Sequence, residues 1–128
     1  MKNLNVVVIT IAGLGFLGFG IVLLCWPDMA LPGLGIQALS DQAQAEIRAM
    51  YGGLEIGLGV LLLTCFSSER QIFGLQLSLA SYGGLGIARL LSMLAIGVAT
   101  PFLWVALIWE GVIALLALLA LRNKARVR

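Results

Sequence analysis

Length, composition and charge point to a membrane protein. The chain has 128 residues, of which 61% are hydrophobic and 11% are charged, whereas a water-soluble domain carries about 25% charged residues. Two cysteines and a net charge of +2 exclude a disulfide scaffold and a basic nucleic-acid-binding domain. The absence of histidine removes the commonest general base and metal ligand. We therefore expect one membrane domain with the lipid bilayer as its surroundings and with no cofactor, metal or nucleic-acid partner.

Four apolar runs are long enough to cross a bilayer, which takes about 20 helical residues. They cover residues 4–26, 47–66, 72–96 and 102–121. Their length and their lack of regular alternation exclude membrane-spanning strands. The sequence thus predicts an all-α, four-helix integral membrane bundle that forms a single domain over residues 1–128. The first run exceeds the apolar core of a secretory signal, which has about 7–15 residues, and we expect it to be retained.

The longest connection between the runs, residues 27–46, contains a helix-starting signal. Ser40, Asp41 and Gln42 are typical of the capped first turn of a helix. The stretch from Met29 to Leu39 is apolar but too short to span a membrane. Two arrangements are open for this stretch: it lies at the membrane surface, or it folds back over the helix ends.

Basic residues outside the four runs are distributed unevenly. Lys2 precedes the first run and Arg70 lies between the second and the third, while four bases follow the last run: Arg122, Lys124, Arg126 and Arg128. The other two connections contain no base. Under the positive-inside rule, both termini and the turn at residues 67–71 are expected on the cytoplasmic side.

Four charged residues lie within the apolar runs: Arg48, Glu55, Arg89 and Glu110. A charge near the bilayer centre costs about 2.5–3.5 kcal/mol, so such side chains face the protein interior or a wet cavity and pair with one another. Glu55 and Glu110 each lie 11 residues before the inner end of their run. This spacing puts both glutamates near the midplane, whereas the two arginines start near the outer boundary.

Side-chain direction predicts which of these charges meet. Helical side chains lean toward the N-terminus of their helix, so Arg89 points inward and is expected to pair with both Glu55 and Glu110. A polar stripe on the third run comprises Ser78, Tyr82, Arg89 and Ser92. These residues predict a polar cluster in the outer half of the bundle.

Arg48 leans in the opposite direction, outward, where its partner is expected to be Glu46, Asp41 or an external anion. Tyr51 lies three residues after Arg48 and four residues before Glu55. At that helical spacing its hydroxyl is expected to bridge the two charges.

Small residues are expected to let the helices approach closely in lipid. The glycines concerned are Gly53-x-x-x-Gly57 together with Gly52, Gly59, Gly83, Gly84 and Gly86. On the fourth run, Ala106 and Ala114 flank Glu110 at a spacing of four residues and form a small-residue face.

The second run carries the segment Glu46-Ile-Arg48-Ala49-Met-Tyr51-Gly52-Gly53-Leu-Glu55, followed by Ala88-Arg89 on the third run and Glu110 on the fourth. In these features, over nearly its whole length, the chain resembles an uncharacterised bacterial membrane family, domain of unknown function 4345. The resemblance implies a multi-pass, four-helix protein of the bacterial inner (plasma) membrane and no assigned activity. The chain departs from the family at Ala95-Ile96-Gly97, which lacks an acidic residue before the glycine. A looser similarity to DoxX-like four-helix proteins rests on architecture alone.

Three functions are open, and whether the protein is an enzyme is undecided. The first is a scaffold or subunit, as a homo-oligomer or with a membrane partner, in which a buried Arg/Glu cluster fixes helix packing. The second is a transporter or binding protein whose outward-opening polar pocket takes a small anionic or lipid-like ligand. The third is a membrane enzyme that uses Glu55 or Glu110 as general acid or base. The candidate site comprises Arg48, Tyr51, Glu55, Tyr82, Arg89 and Glu110.

Overall fold

The fold is all-α, as predicted. The computed structural model describes residues 2–37 and 40–126, and this part of the chain contains helices and turns but no strand. Leu39 and Arg128, named above, lie outside the described residues. Three helices are long and apolar enough to cross a membrane, at Leu4–Cys25, Gln71–Ile96 and Pro101–Lys124. They correspond to the first, third and fourth predicted runs.

Local signals explain several helix boundaries. Ser40 caps its helix, as predicted, because its hydroxyl accepts a backbone N–H three residues on at 3.2 Å. Thr100 accepts in the same way at 3.3 Å and starts the last helix, which continues beyond its predicted end at residue 121. Gly97 ends the preceding helix with a φ of +73°, which favours glycine. In chain order the elements are α1 (Lys2–Cys25), α2 (Pro27–Ala30), a 3-10 turn (Leu31–Leu34), α3 (Asp41–Ile47), a π-helical segment (Arg48–Gly53), α4 (Leu54–Leu63), α5 (Gln71–Ile96) and α6 (Pro101–Arg126).

The second predicted run is not one regular helix over residues 47–66. The helical stretch covers residues 41–63 without a break, and its middle is the π-helical segment. It ends at Leu63, three residues before the predicted end, and the Thr64 hydroxyl donates to Leu61 O at 2.7 Å in the last turn. A π turn is wider than an α turn and closes through i to i+5 hydrogen bonds, so the segment changes the angular relation of the residues on either side of it.

The chain divides into two compact units. Unit 1 comprises Met1–Thr10 and Cys65–Arg128, and unit 2 comprises Ile11–Thr64. α1 therefore contributes its first residues to unit 1 and its remaining residues to unit 2. Each unit has its own close helix contacts.

In unit 1, the start of α1 packs against the start of α5. Gly74 permits the approach, because an added Cβ would lie 3.0 Å from Ile9 Cδ1 and 2.7 Å from Cys65 Cβ. The buried Asn5 amide donates to Gln71 Oε1 at 3.3 Å. Further along its length, α5 packs against α6.

In unit 2, α1 runs antiparallel to the helical stretch 41–63, and glycines line the contact. A Cβ on Gly59 would lie 2.7 Å from Leu17 N and 2.8 Å from Gly13 O. Two turns along, a Cβ on Gly20 would lie 2.8 Å from Gly52 O. Close backbone approach of this kind is typical of helix pairs in membranes, where lipid supplies no hydrophobic drive between helices.

The pair Gly53 and Gly57, predicted to pack closely, does not do so. No atom outside its own helix turn lies within 4 Å of a Cβ built on Gly57, and Gly53 meets only Arg48 O at 3.9 Å. The contact instead uses Gly52 and Gly59, which were also among the predicted glycines. Gly52 and Gly59 are seven residues apart, about two helical turns, and so lie on the face toward α1.

The connection after α1 forms short helical turns. Pro27 and Leu31 are buried, whereas Met29 is 79% exposed. Asp28 Oδ1 accepts from Gln44 Nε2 at 2.7 Å, which ties the connection to α3 within unit 2. The segment is therefore folded against its own unit on one side and presents apolar surface on the other.

Candidate functional site

A buried ion pair joins α5 to α6 in unit 1. Arg89 Nε donates to the two carboxylate oxygens of Glu110 at 3.1 and 2.9 Å, and Arg89 Nη2 donates to Oε1 at 2.6 Å. Glu110 is 4% exposed, whereas the Arg89 side chain is 26% exposed. Bidentate bonds between two charged groups are the strongest class of side-chain hydrogen bonds. Because both carboxylate oxygens of Glu110 accept hydrogen bonds from Arg89, the two side chains compensate each other's charge.

Small residues on α5 make room for this pair. A Cβ on Gly86, three residues before Arg89, would lie 3.5 Å from Glu110 Cβ and 3.9 Å from its Oε2. One turn further, a Cβ on Gly83 would lie 3.9 Å from Ala114 Cβ. The small-residue face predicted around Glu110 therefore meets glycines of α5, and the carboxylate fits beside a position without a side chain.

The residues of the polar stripe predicted on α5 differ in how deeply they are buried. Ser78 and Tyr82 are buried, and the Ser78 hydroxyl donates to Gly74 O of its own helix at 2.8 Å. Ser92 is exposed and donates to Ala88 O at 2.8 Å. Tyr82 thus lies in the interior of unit 1, whereas Ser92 satisfies its hydroxyl within its own helix at the surface.

The other two charges of the apolar runs, Arg48 and Glu55, lie in unit 2. Arg48 opens the π-helical segment and Glu55 is the second residue of α4. Arg48 Nε and Glu55 Oε2 are both buried, and neither has a hydrogen-bond partner among the described residues. Arg48 forms no ion pair with Asp41 or Glu46 in the described part of the chain. The third predicted partner, an external anion, stays a prediction.

The sequence predicted that the Tyr51 hydroxyl bridges Arg48 and Glu55, and this prediction is wrong. Its side chain is 53% exposed, and the two buried atoms it would join have no partner within the described ranges. The prediction assumed that residues three and four apart share a face. That relation belongs to the α-helix and fails in the π-helical segment, where Tyr51 lies.

α1 packs directly over the base of Glu55. A Cβ on Gly20 would lie 3.0 Å from Glu55 Cβ, and a Cβ on Gly52 would lie 2.9 Å from Leu24 Cβ. The sequence predictions omitted the α1 glycines, Gly13 and Gly20. Their seven-residue spacing, two helical turns, matches that of Gly52 and Gly59 on the facing helix and is the signal that could have found them.

The predicted contact between Arg89 and Glu55 would join the two units and stays a prediction. Within each unit the arrangement is definite. Unit 1 holds the compensated pair of Arg89 and Glu110, and unit 2 holds a buried donor atom of Arg48 and a buried acceptor atom of Glu55 that have no partner among residues 2–37 and 40–126.

Residues 5–121 match a family model described as Domain of unknown function (DUF4345). The chain belongs to the DUF4345 family. The DUF4345 match extends over both units and includes all four charges of the apolar runs. No curated protein and no solved structure matches the chain. Since DUF4345 carries no assigned activity, the function has to be argued from the site.

Proposed function

We propose that the protein is an integral membrane protein that binds a small anionic or lipid-like molecule through Arg48. The observation that carries the proposal is the contrast between the two arginines of the apolar runs. Arg89 is neutralised by Glu110 in a bidentate pair. Arg48 has no ion pair to any described residue, and its Nε is buried without an acceptor.

The energetics favour a ligand with an anionic group. A buried donor without an acceptor costs about 1–3 kcal/mol, and more when it is charged. A phosphate or carboxylate brought to Arg48 removes this cost, because the guanidinium fork matches the geometry of both groups. Arg48 is partly exposed even though its Nε is buried, so the side chain can be reached from outside the unit.

The test is the binding of dodecyl phosphate to the full chain purified in a non-ionic detergent. A ligand that binds only the folded state raises the midpoint of thermal unfolding with concentration. We expect this rise for the unaltered protein and an affinity at least about tenfold lower for Arg48→Gln, a loss of about 1.4 kcal/mol.

Arg70→Gln is the matched control, because Arg70 is an exposed turn residue outside unit 2. It is expected to bind dodecyl phosphate as the unaltered protein does. Equal binding by Arg48→Gln and the unaltered protein would refute the proposal.

A scaffold role is the second candidate, and the Arg89–Glu110 pair favours it. A buried pair held in one geometry fixes the register of α5 on α6, which suits a subunit that presents a defined surface to a second copy or to a membrane partner.

In the third candidate function, a membrane enzyme, the general acid or base would be Glu55. Glu110 does not suit that role, because both of its carboxylate oxygens accept hydrogen bonds from Arg89.

We also propose that the chain crosses a bacterial inner membrane four times with both termini in the cytoplasm. The helical stretch 41–63 supports the fourth crossing, because its 23 residues are helical without a break and a crossing takes about 20 helical residues. The unequal distribution of bases outside the apolar runs supports the orientation.

A further inference from the structure

The second unpartnered atom of unit 2, Glu55 Oε2, constrains what Arg48 binds. Arg48 Nε needs an acceptor, and Glu55 Oε2 needs a donor. Both atoms are buried, and both belong to one uninterrupted helical stretch, seven residues apart. A simple anion would satisfy Arg48 but would leave Glu55 without a donor and add a second negative charge beside it.

We propose that the ligand is a zwitterion, with its anionic group on Arg48 and its protonated amine on Glu55. This inference rests on the proposed function and specifies the chemistry of the ligand. A zwitterion satisfies the donor and the acceptor together. It also brings no net charge into a low-dielectric region, where uncompensated charge is costly.

The spacing of the two residues limits the size of the ligand. Seven residues at about 1.5 Å each put the two backbones at most about 10 Å apart along the helix axis. We therefore expect a small group whose anionic and cationic ends are joined by a short linker. The ethanolamine headgroup of a phospholipid has this architecture, because two carbons join its phosphodiester to its protonated amine.

The experiment compares two short-chain lipids that differ in the amine alone. Isothermal titration calorimetry measures binding of dihexanoylphosphatidylethanolamine and of dihexanoylphosphatidylethanol to the full chain in non-ionic detergent. We expect the ethanolamine lipid to bind about tenfold more tightly, as one additional ion pair requires. In Glu55→Gln, which keeps the shape of the side chain but not its charge, this preference is expected to fall below twofold.

Glu46→Gln is the matched control, because it removes an exposed acid two residues before Arg48 and should leave the preference intact. Free glycerophosphoethanolamine, a soluble phosphodiester with the same headgroup, forms a further arm. Binding of the free zwitterion with the same dependence on Glu55 supports a soluble ligand, and binding of the lipid alone supports a membrane headgroup.

A second comparison does not depend on the folding of any variant. Dihexanoylphosphatidylcholine keeps the phosphate and the positive charge but has no N–H to donate, so it is expected to bind the unaltered protein more weakly than the ethanolamine lipid. Equal affinity for phosphatidylethanol and the ethanolamine lipid, with both dependent on Arg48, would overturn the zwitterion and leave the proposed function standing. Absence of Arg48-dependent binding of either lipid would overturn both.

Discussion

Glu110 carries its charge at a position that is 4% exposed, and Arg89 compensates it. Removing one member of a buried pair leaves the other charge without compensation, which costs about 3–5 kcal/mol, whereas replacing both members with apolar side chains of similar volume is often neutral. The pair therefore makes the two residues depend on each other. A substitution of either residue alone leaves the charge of the other uncompensated and lowers the free energy of unfolding.

We expect Glu110→Leu to lower the free energy of unfolding by about 3 kcal/mol, and Arg89→Met added to Glu110→Leu to recover most of that loss. Unfolding of the detergent-solubilised protein by SDS, followed by circular dichroism, measures both. Ser92→Ala is a neutral control, because its hydroxyl bonds only within its own exposed helix turn. A double variant as unstable as Glu110→Leu alone would contradict the expectation.

The charges were predictable from the sequence because any ionised residue is conspicuous in an apolar run. The lean of helical side chains toward the N-terminus also sufficed to pair Arg89 with Glu110. The same reasoning failed for Tyr51, because it assumed α-helical angles where the chain is π-helical. Hydropathy does not register the type of helical turn, so the exposed position of Tyr51 could not be predicted.

At the scale of elements, the contact between α1 and the helical stretch 41–63 depends on the absence of side chains at Gly13, Gly20, Gly52 and Gly59. A Cβ at Gly59 would lie 2.7 Å from a backbone nitrogen, which cannot move aside as a flexible side chain can. Gly57, two residues earlier on α4, has open space instead. The two positions form a matched pair within one helix.

We expect Gly59→Ala to lower the free energy of unfolding by about 1–3 kcal/mol through overpacking against α1. Gly57→Ala is expected to raise it by up to about 1 kcal/mol, because alanine favours the helix and nothing opposes its methyl group. Thermal unfolding of the two variants beside the unaltered protein measures the difference. Equal effects at the two positions would show that the close approach at Gly59 does not stabilise unit 2.

The all-α class and three of the four long helices followed from composition, but the form and boundaries of the second run did not. The second run was placed at residues 47–66, whereas the helix begins at Asp41 and ends at Leu63. Its first turns are polar, so an apolar window omits them, although the Ser40 cap marks the start. Its end at Leu63 lies inside the apolar run, which extends to Phe66, so hydropathy does not detect it.

At the scale of the whole molecule, the bases outside the apolar runs predict which side of the membrane each connection faces. The turn that contains Arg70 carries a base, and the connection between α5 and α6 carries none. The positive-inside rule then places the first connection in the cytoplasm and the second outside. The two connections flank the same helix, α5, so their accessibilities are directly comparable.

We expect a membrane-impermeant maleimide applied to intact cells to label Ala99→Cys but not Ser68→Cys, each in a background of Cys25→Ala and Cys65→Ala. Both variants should be labelled equally after permeabilisation, which controls for expression and reactivity. Labelling of Ser68→Cys but not of Ala99→Cys in intact cells would show that the orientation in the membrane is the opposite of the predicted one. The proposed site at Arg48 would then face the cytoplasm.

The hydrogen bond between Asn5 and Gln71 has a consequence for biosynthesis. The two residues are 66 positions apart, so α1 leaves the ribosome and meets lipid well before its partner amide has been made. The later part of α1 finds its glycine-lined contact with residues 52–63 sooner, within unit 2. We therefore expect α1 to assemble from its end back toward its beginning. The first helix to be synthesised completes its contacts only when α5 arrives and Gln71 accepts the Asn5 amide.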